Sequence, residues 1–216
     1  MFLDSLSIFS YDKDTYGKVE KTMENIEDIK KEIMEDPLNK EFTEKGWEPV
    51  FDAPPTAKIL IASQAPGIRA QEANKTFFDI SGDLLREWLG VDENTFYNSG
   101  LFGIVPMDYY FPGKAKTGDK PPRKEFAKKW NSRVLDAMPE LELKVIIGAH
   151  AQKFYFGKDM KRNLTETVRN YEEYLPEYFP LVHPSPLNIG WRKRNPWFEE
   201  KVVPELQKKV QKIISE

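Results

Sequence analysis

A three-layer α/β/α fold around a central, mostly parallel sheet of four strands is predicted for this 216-residue chain by three features of its sequence. Four short apolar runs are bounded by proline, glycine or charge, as strands covered on both faces are. Between them lie segments whose apolar residues recur every three or four positions. Strands therefore alternate with helices, and the links between parallel neighbours are crossovers. An apolar content of 40%, with 13% aromatic, supplies a sizeable core. That suits one domain, since domains centre on roughly 100 to 200 residues.

Taken in order, Asp14 to Met34 spaces Val19, Met23, Ile26, Ile29 and Ile33 on one helical face. This marks residues 1–50 as a helical extension packed on a domain that otherwise runs to residue 216. Ala57 to Ser63 is a buried strand ending in Gln64, Ala65, Pro66 and Gly67. Ser81 to Leu89 is a helix with Ser81 available as its cap and Leu84, Leu85, Trp88 and Leu89 as its apolar face. Leu101 to Val105 is the second strand and Phe111 to Pro122 a loop. Arg123 to Met138 returns to helical spacing through Phe126, Trp130, Val134 and Leu135. Leu143 to Gly148 is the third strand, followed by a helix from Ala149 to Phe156. Phe179 to His183 is the fourth, leading into Pro184 to Asn188, and Pro196 to Ile214 closes the chain as a helix. No internal repeat or low-complexity tract interrupts this order.

Composition narrows the chemistry. The absence of cysteine excludes disulfides, a thiolate nucleophile and cysteine-ligated zinc or iron–sulfur clusters. No run of about 18 apolar residues suggests a membrane span, and Met1 to Ser10 lacks the pattern of a signal peptide, so a cytoplasmic protein is expected. A formal charge of −3 argues against non-specific coating of DNA. The charge is uneven, however. The first fifty residues are acidic, whereas Lys114, Lys116, Lys120, Arg123, Lys124, Lys128, Lys129 and Arg133 form a basic stretch, and Arg192, Lys193 and Arg194 a second cluster. Such clusters either solvate helix faces or, beside a site, bind phosphates.

In parallel α/β sheets, ligands bind beyond the carboxyl ends of the strands. Two predicted strands run there into proline-rich loops, Ser63 to Gly67 and His183 to Asn188. Pro66 and Gly67 allow a turn that presents successive N–H groups, and Gln64 adds an amide. His183 can donate to an oxygen that gains negative charge, or it can be a packed histidine satisfied by carbonyls. His150, within a helical segment, reads as structural. Phe77 and Phe78 precede a helix; one is expected in the core, and an aromatic face beside an amide and an imidazole suits a planar base, where stacking contributes about 1 to 3 kcal/mol. Asp79 can cap the helix, hold a water as general base or stabilise a cationic sugar.

The segments SQAPG, FFDISGDLLREWLG and FPLVHPSPLN, in this order and together with GDKPP, LKVIIG and NPWFEEKVVPEL, resemble the uracil-DNA glycosylase superfamily. The resemblance covers most of Ile59 to Leu206, and is nearest to a bacterial and archaeal uracil-DNA glycosylase-like branch. It implies that the first loop, Gln64, Ala65, Pro66 and Gly67, lies against the base and binds its carbonyl oxygen through the backbone N–H groups of Gln64 and Ala65. It implies that Phe77 stacks on the base and that His183 supports the departing base anion. Ser185, Pro186, Leu187 and Asn188 are implied to enter the minor groove, with Leu187 filling the vacated stack; from the basic clusters themselves, Lys114 and Arg192 are the candidates for phosphates.

The sequence departs from the family pattern in three places. Ala65 stands where the prototype has its water-positioning aspartate; a thermophilic branch with alanine there has an aspartate before the Ser-Gly helix start, which Asp79 matches. Ile104 to Asp108 replaces a uracil-reading asparagine. The cysteine ligands of a cluster-bearing branch are missing. The implied activity is hydrolysis of the N-glycosidic bond of uracil or another deaminated base flipped out of DNA, by a monomer, with no metal or cofactor. The alternatives are a catalytically silent nucleic-acid or nucleotide-binding module and, third, a hydrolase of free nucleosides or nucleotides.

Overall fold

The computed structural model describes residues 25–216. The part of the predicted first helix that precedes residue 25 lies outside them. Four strands, β1 (Ile59–Ala62), β2 (Phe102–Ile104), β3 (Leu143–Ile147) and β4 (Tyr178–Leu181), form one sheet in the order β2-β1-β3-β4. All neighbours are parallel, with Ile59 opposite both Phe102 and Leu143, and Val145 opposite Phe179. Strand alternation sends Ile59 and Ile61 to one face of the sheet and Leu60 and Ala62 to the other. Both faces are covered, which completes the three-layer α/β/α architecture.

The helices fall in chain order as α1 (Ile26–Glu35), α2 (Lys40–Thr43), α3 (Ile68–Glu72), α4 (Ile80–Leu89), α5 (Glu93–Asn98), α6 (Phe126–Asp136), α7 (Gly148–Phe156), α8 (Leu164–Arg169), α9 (Ile189–Arg194) and α10 (Val203–Ile214). Leu85, Trp88 and Leu89 of α4 meet Leu206 and Val210 of α10 over one face of the sheet. On the other face, Ile29 and Ile33 of α1 join Trp130 and Val134 of α6 and Ala151 of α7. Among the described residues no helix is long and apolar enough to cross a membrane.

Two expectations need correction. The cap of α4 is Asp79, whose Oδ1 accepts the N–H of Gly82 at 3.0 Å; Ser81 lies one residue inside the helix. The closing segment is not one α-helix: a π-helical turn over Phe198–Val202 precedes α10, because Pro204 has no N–H to continue the ladder backwards. In the basic stretch, whose lysines are all exposed, Lys114, Arg123, Lys128, Lys129 and Arg133 are ion-paired. Arg123 holds the buried Asp108 with two nitrogens and reaches Asn39, Lys129 pairs with Asp36, and Arg133 pairs with Glu32. The acidic N-terminal region and the basic stretch thus join α1 to α6. His150 is exposed on α7.

Candidate active site

The carboxyl ends of β1, β2 and β4 meet around one cavity of about 150 Å³. That volume has room for a single flat ring. Its walls include Ala65, Pro66 and Gly67 after β1, Ile104 and Pro106 at the end of β2, and His183 and Ser185 after β4. Phe77, Asp79 and Ser81 close it from the start of α4. Residues far apart in the chain therefore converge because a parallel sheet delivers all its strand ends to one side.

Phe77 is held in an unusual way. Its φ of +49° lies in the left-handed region, which non-glycine residues rarely occupy. The hydroxyl of Tyr97 donates to the carbonyls of Thr76, at 2.8 Å, and Phe77, at 3.1 Å. Thr76 in turn donates to Asp52 at 2.5 Å, where burial raises the Asp52 pKa. Gly82 allows α4 to press on this corner: a Cβ there would stand 1.7 Å from the Phe77 carbonyl oxygen. The ring of Phe77 is half-buried against the core and forms part of the cavity wall. Phe78 is 49% exposed beneath the ammonium of Lys75, so neither phenylalanine is deep core.

Asp79 has two oxygens with different tasks. Oδ1 is committed to the helix cap, while Oδ2 lies 3.6 Å from where a Cβ of Gly67 would stand, between the cap and the first loop. His183 sits across the cavity. Burial pushes its pKa below the ordinary 6.5, and the negative charges of Asp79 and Asp119 oppose that shift. The imidazole is thus predominantly neutral near pH 7 and able to donate one N–H. Among the described residues no backbone carbonyl accepts from the ring; the hydrogen bonds of this residue run instead to its own carbonyl, which accepts from Ser185 N–H and the Asn188 amide at 2.8 Å.

The remaining expected residues divide. Gln64 does not face the cavity: its amide donates to the Lys120 carbonyl, and its own carbonyl accepts from Met107 and Asp108. It ties the first loop to its neighbours. Pro186, Leu187 and Asn188 form a short 3-10 turn at the rim, braced by Ser185 Oγ, with Leu187 83% exposed. Lys114 lines a crevice that adjoins the cavity and pairs with Asp119 at 2.6 Å. Arg192 is not brought to the cavity; it turns back to Glu199 at 2.7 Å and lies over Trp88. Asp119 and Arg69 were not singled out from sequence. Asp119 lines both cavity and crevice, and Arg69 lines the crevice. The signal for Asp119 was its isolation, as one carboxylate after glycine in a run of lysines.

A family model, the uracil DNA glycosylase superfamily, matches residues 50–207. That span begins at the cavity residue Val50, includes all four strands and ends within α10.

Proposed function

Since the chain belongs to the uracil DNA glycosylase superfamily, whose members are glycosylase-type hydrolases of DNA repair, we propose that it hydrolyses the N-glycosidic bond of uracil or another deaminated base flipped out of DNA. The observation that carries this reading is the single cavity shared by the Phe77 ring, the 65–67 loop, Asp79 and His183. A base in it stacks on Phe77 while Ile104 and Pro106 give it an apolar wall. As the bond breaks, negative charge grows on the base and positive charge on the sugar. Loop N–H groups and the neutral His183 stabilise the first, and Asp79 Oδ2 orients water toward the second. Leu187 fills the gap in the stack, with Ser185 to Asn188 on the backbone. We take the protein to act as a monomer in the cytoplasm, needing no metal or cofactor for this chemistry.

One observation favours a second reading, a binding module without turnover: Ala65 brings no carboxylate to the first loop. The test is excision of uracil, hypoxanthine and xanthine from single-stranded and mismatched oligonucleotides by the purified protein, with a known glycosylase as control. Asp79→Asn and His183→Ala should each lower turnover by about 10²- to 10³-fold and leave DNA binding in place. A wild-type protein inert on all three bases sinks the proposal and favours the binding module. A hydrolase of free nucleosides would be indifferent to Leu187→Ala.

A further inference from the structure

We infer that Asp119 is a second catalytic carboxylate of this site, delivered by a hairpin-like arm and uncovered when a DNA phosphate draws Lys114 away from it; the inference rests on the glycosylase reading above. Residues 113–120 fold back on themselves. Lys120 N–H donates to the Gly113 carbonyl, Ala115 N–H to that of Gly118, and Lys114 bridges Asp119 across the arm. The Gln64 amide, bonded to the Lys120 carbonyl, pins this arm to the first loop. Asp119 is thereby placed on the wall of the base cavity with Asp79 and His183, and also on the wall of the open crevice with Ile68, Arg69, Ile80 and Pro186.

That crevice has the chemistry of a seat for a sugar and its phosphate. It has apolar walls, the cations Arg69 and Lys114, and two carboxylates at the boundary with the cavity. The Arg69 guanidinium has no partner among the described residues. Lys114 is two-thirds exposed, with 66% of its side chain open, against 32% for Asp119. An ion pair so open to water is weak, and a phosphodiester oxygen competes well for the ammonium. Lys114 moving to the phosphate leaves the Asp119 carboxylate uncompensated beside the sugar.

In the reaction, the bond from C1′ to the base nitrogen breaks with both electrons staying on the base. The oxygen of water then bonds to C1′, and Asp79 takes the proton that water loses. Asp119 forms no bond. Its charge stabilises the sugar cation in the interval, an electrostatic effect larger in the transition state than in the ground state.

The test compares Asp119→Asn with wild type on a uracil-containing single strand, reading single-turnover kcat and Kd separately. The expected result is a split of opposite sign: kcat falls by about tenfold or more, while Kd tightens because Lys114 is free from the outset. Adding Lys114→Gln to Asp119→Asn should reverse the gain in binding without restoring kcat. A merely structural Asp119 would weaken binding and lower the melting temperature together, and that pattern, or an unchanged kcat, overturns the assignment alone. A wild type inactive on uracil, hypoxanthine and xanthine alike overturns the glycosylase reading and this assignment with it.

Discussion

At the scale of single residues, the site depends on groups kept in states they would not choose in water. Phe77 stays at positive φ because Tyr97 and the cleared face of Gly82 hold its carbonyl, so the ring orientation is set by backbone strain as well as by packing. His183 is kept neutral by burial, against the pull of two aspartates. The neutral imidazole keeps one N–H with which to donate to an oxygen of the departing base. Depression of this pKa also has a consequence for stability. As pH falls through 6.5, the histidine of the unfolded chain binds a proton while that of the folded protein does not. The folded state therefore loses stability, by at most about 1.4 kcal/mol per pH unit, until pH reaches the lowered pKa. Urea midpoints measured from pH 8 to 5 should show wild type falling more steeply than His183→Gln below pH 6.5, with parallel curves above it. A difference that grows toward high pH would contradict the assigned shift.

At the scale of elements, α4 is both a structural and a chemical device, since its N-cap is the carboxylate proposed to hold water. The two roles can be separated by substitution. Asp79→Ala removes the cap and should cost about 1 kcal/mol, whereas asparagine caps nearly as well, so Asp79→Asn should unfold close to wild type while losing turnover equally. Equal melting temperatures for the two variants would show that the cap contributes nothing. Short apolar runs locate the strands within one or two residues, and α4 and α6 are found because each has an apolar face long enough to set a period, whereas α7 is legible only from its place after the third strand. Sequence periodicity did not reveal α3, α5, α8 or α9, which have five or six residues and little periodicity. Nor could it tell which oxygen of Asp79 the cap would take, or that Gln64 would turn from the cavity to Lys120. Those outcomes depend on the arm at 113–120, whose proline, glycine and lysine content predicts a loop and not its destination.

At the scale of the whole molecule, charge is distributed by function in a way that net charge conceals. Of the basic stretch, Arg123, Lys129 and Arg133 hold the N-terminal region against α6, and Lys128 pairs with Glu125 on the same helix. Arg192, expected at the DNA, is tied to Glu199. What remains at the mouth of the cavity is Arg69 and Lys114. An acidic protein with two cations placed at its cleft should bind DNA weakly and locally, relying on insertion of the base and of Leu187 more than on phosphate contacts. Each neutralised phosphate of a single strand contributes about −0.7 to the slope of log Kobs against log salt, so two give about −1.4. Fluorescence anisotropy with a uracil-containing single strand between 50 and 300 mM salt measures that slope. Arg69→Gln should flatten it by about 0.7, and Arg192→Gln should leave it unchanged. A wild-type slope steeper than about −4, the value for six phosphates, would mean that the lysines of the arm and of the α6 surface reach the backbone after all. The DNA path would then run along the basic stretch, with the crevice beside Asp119 as only one part of it.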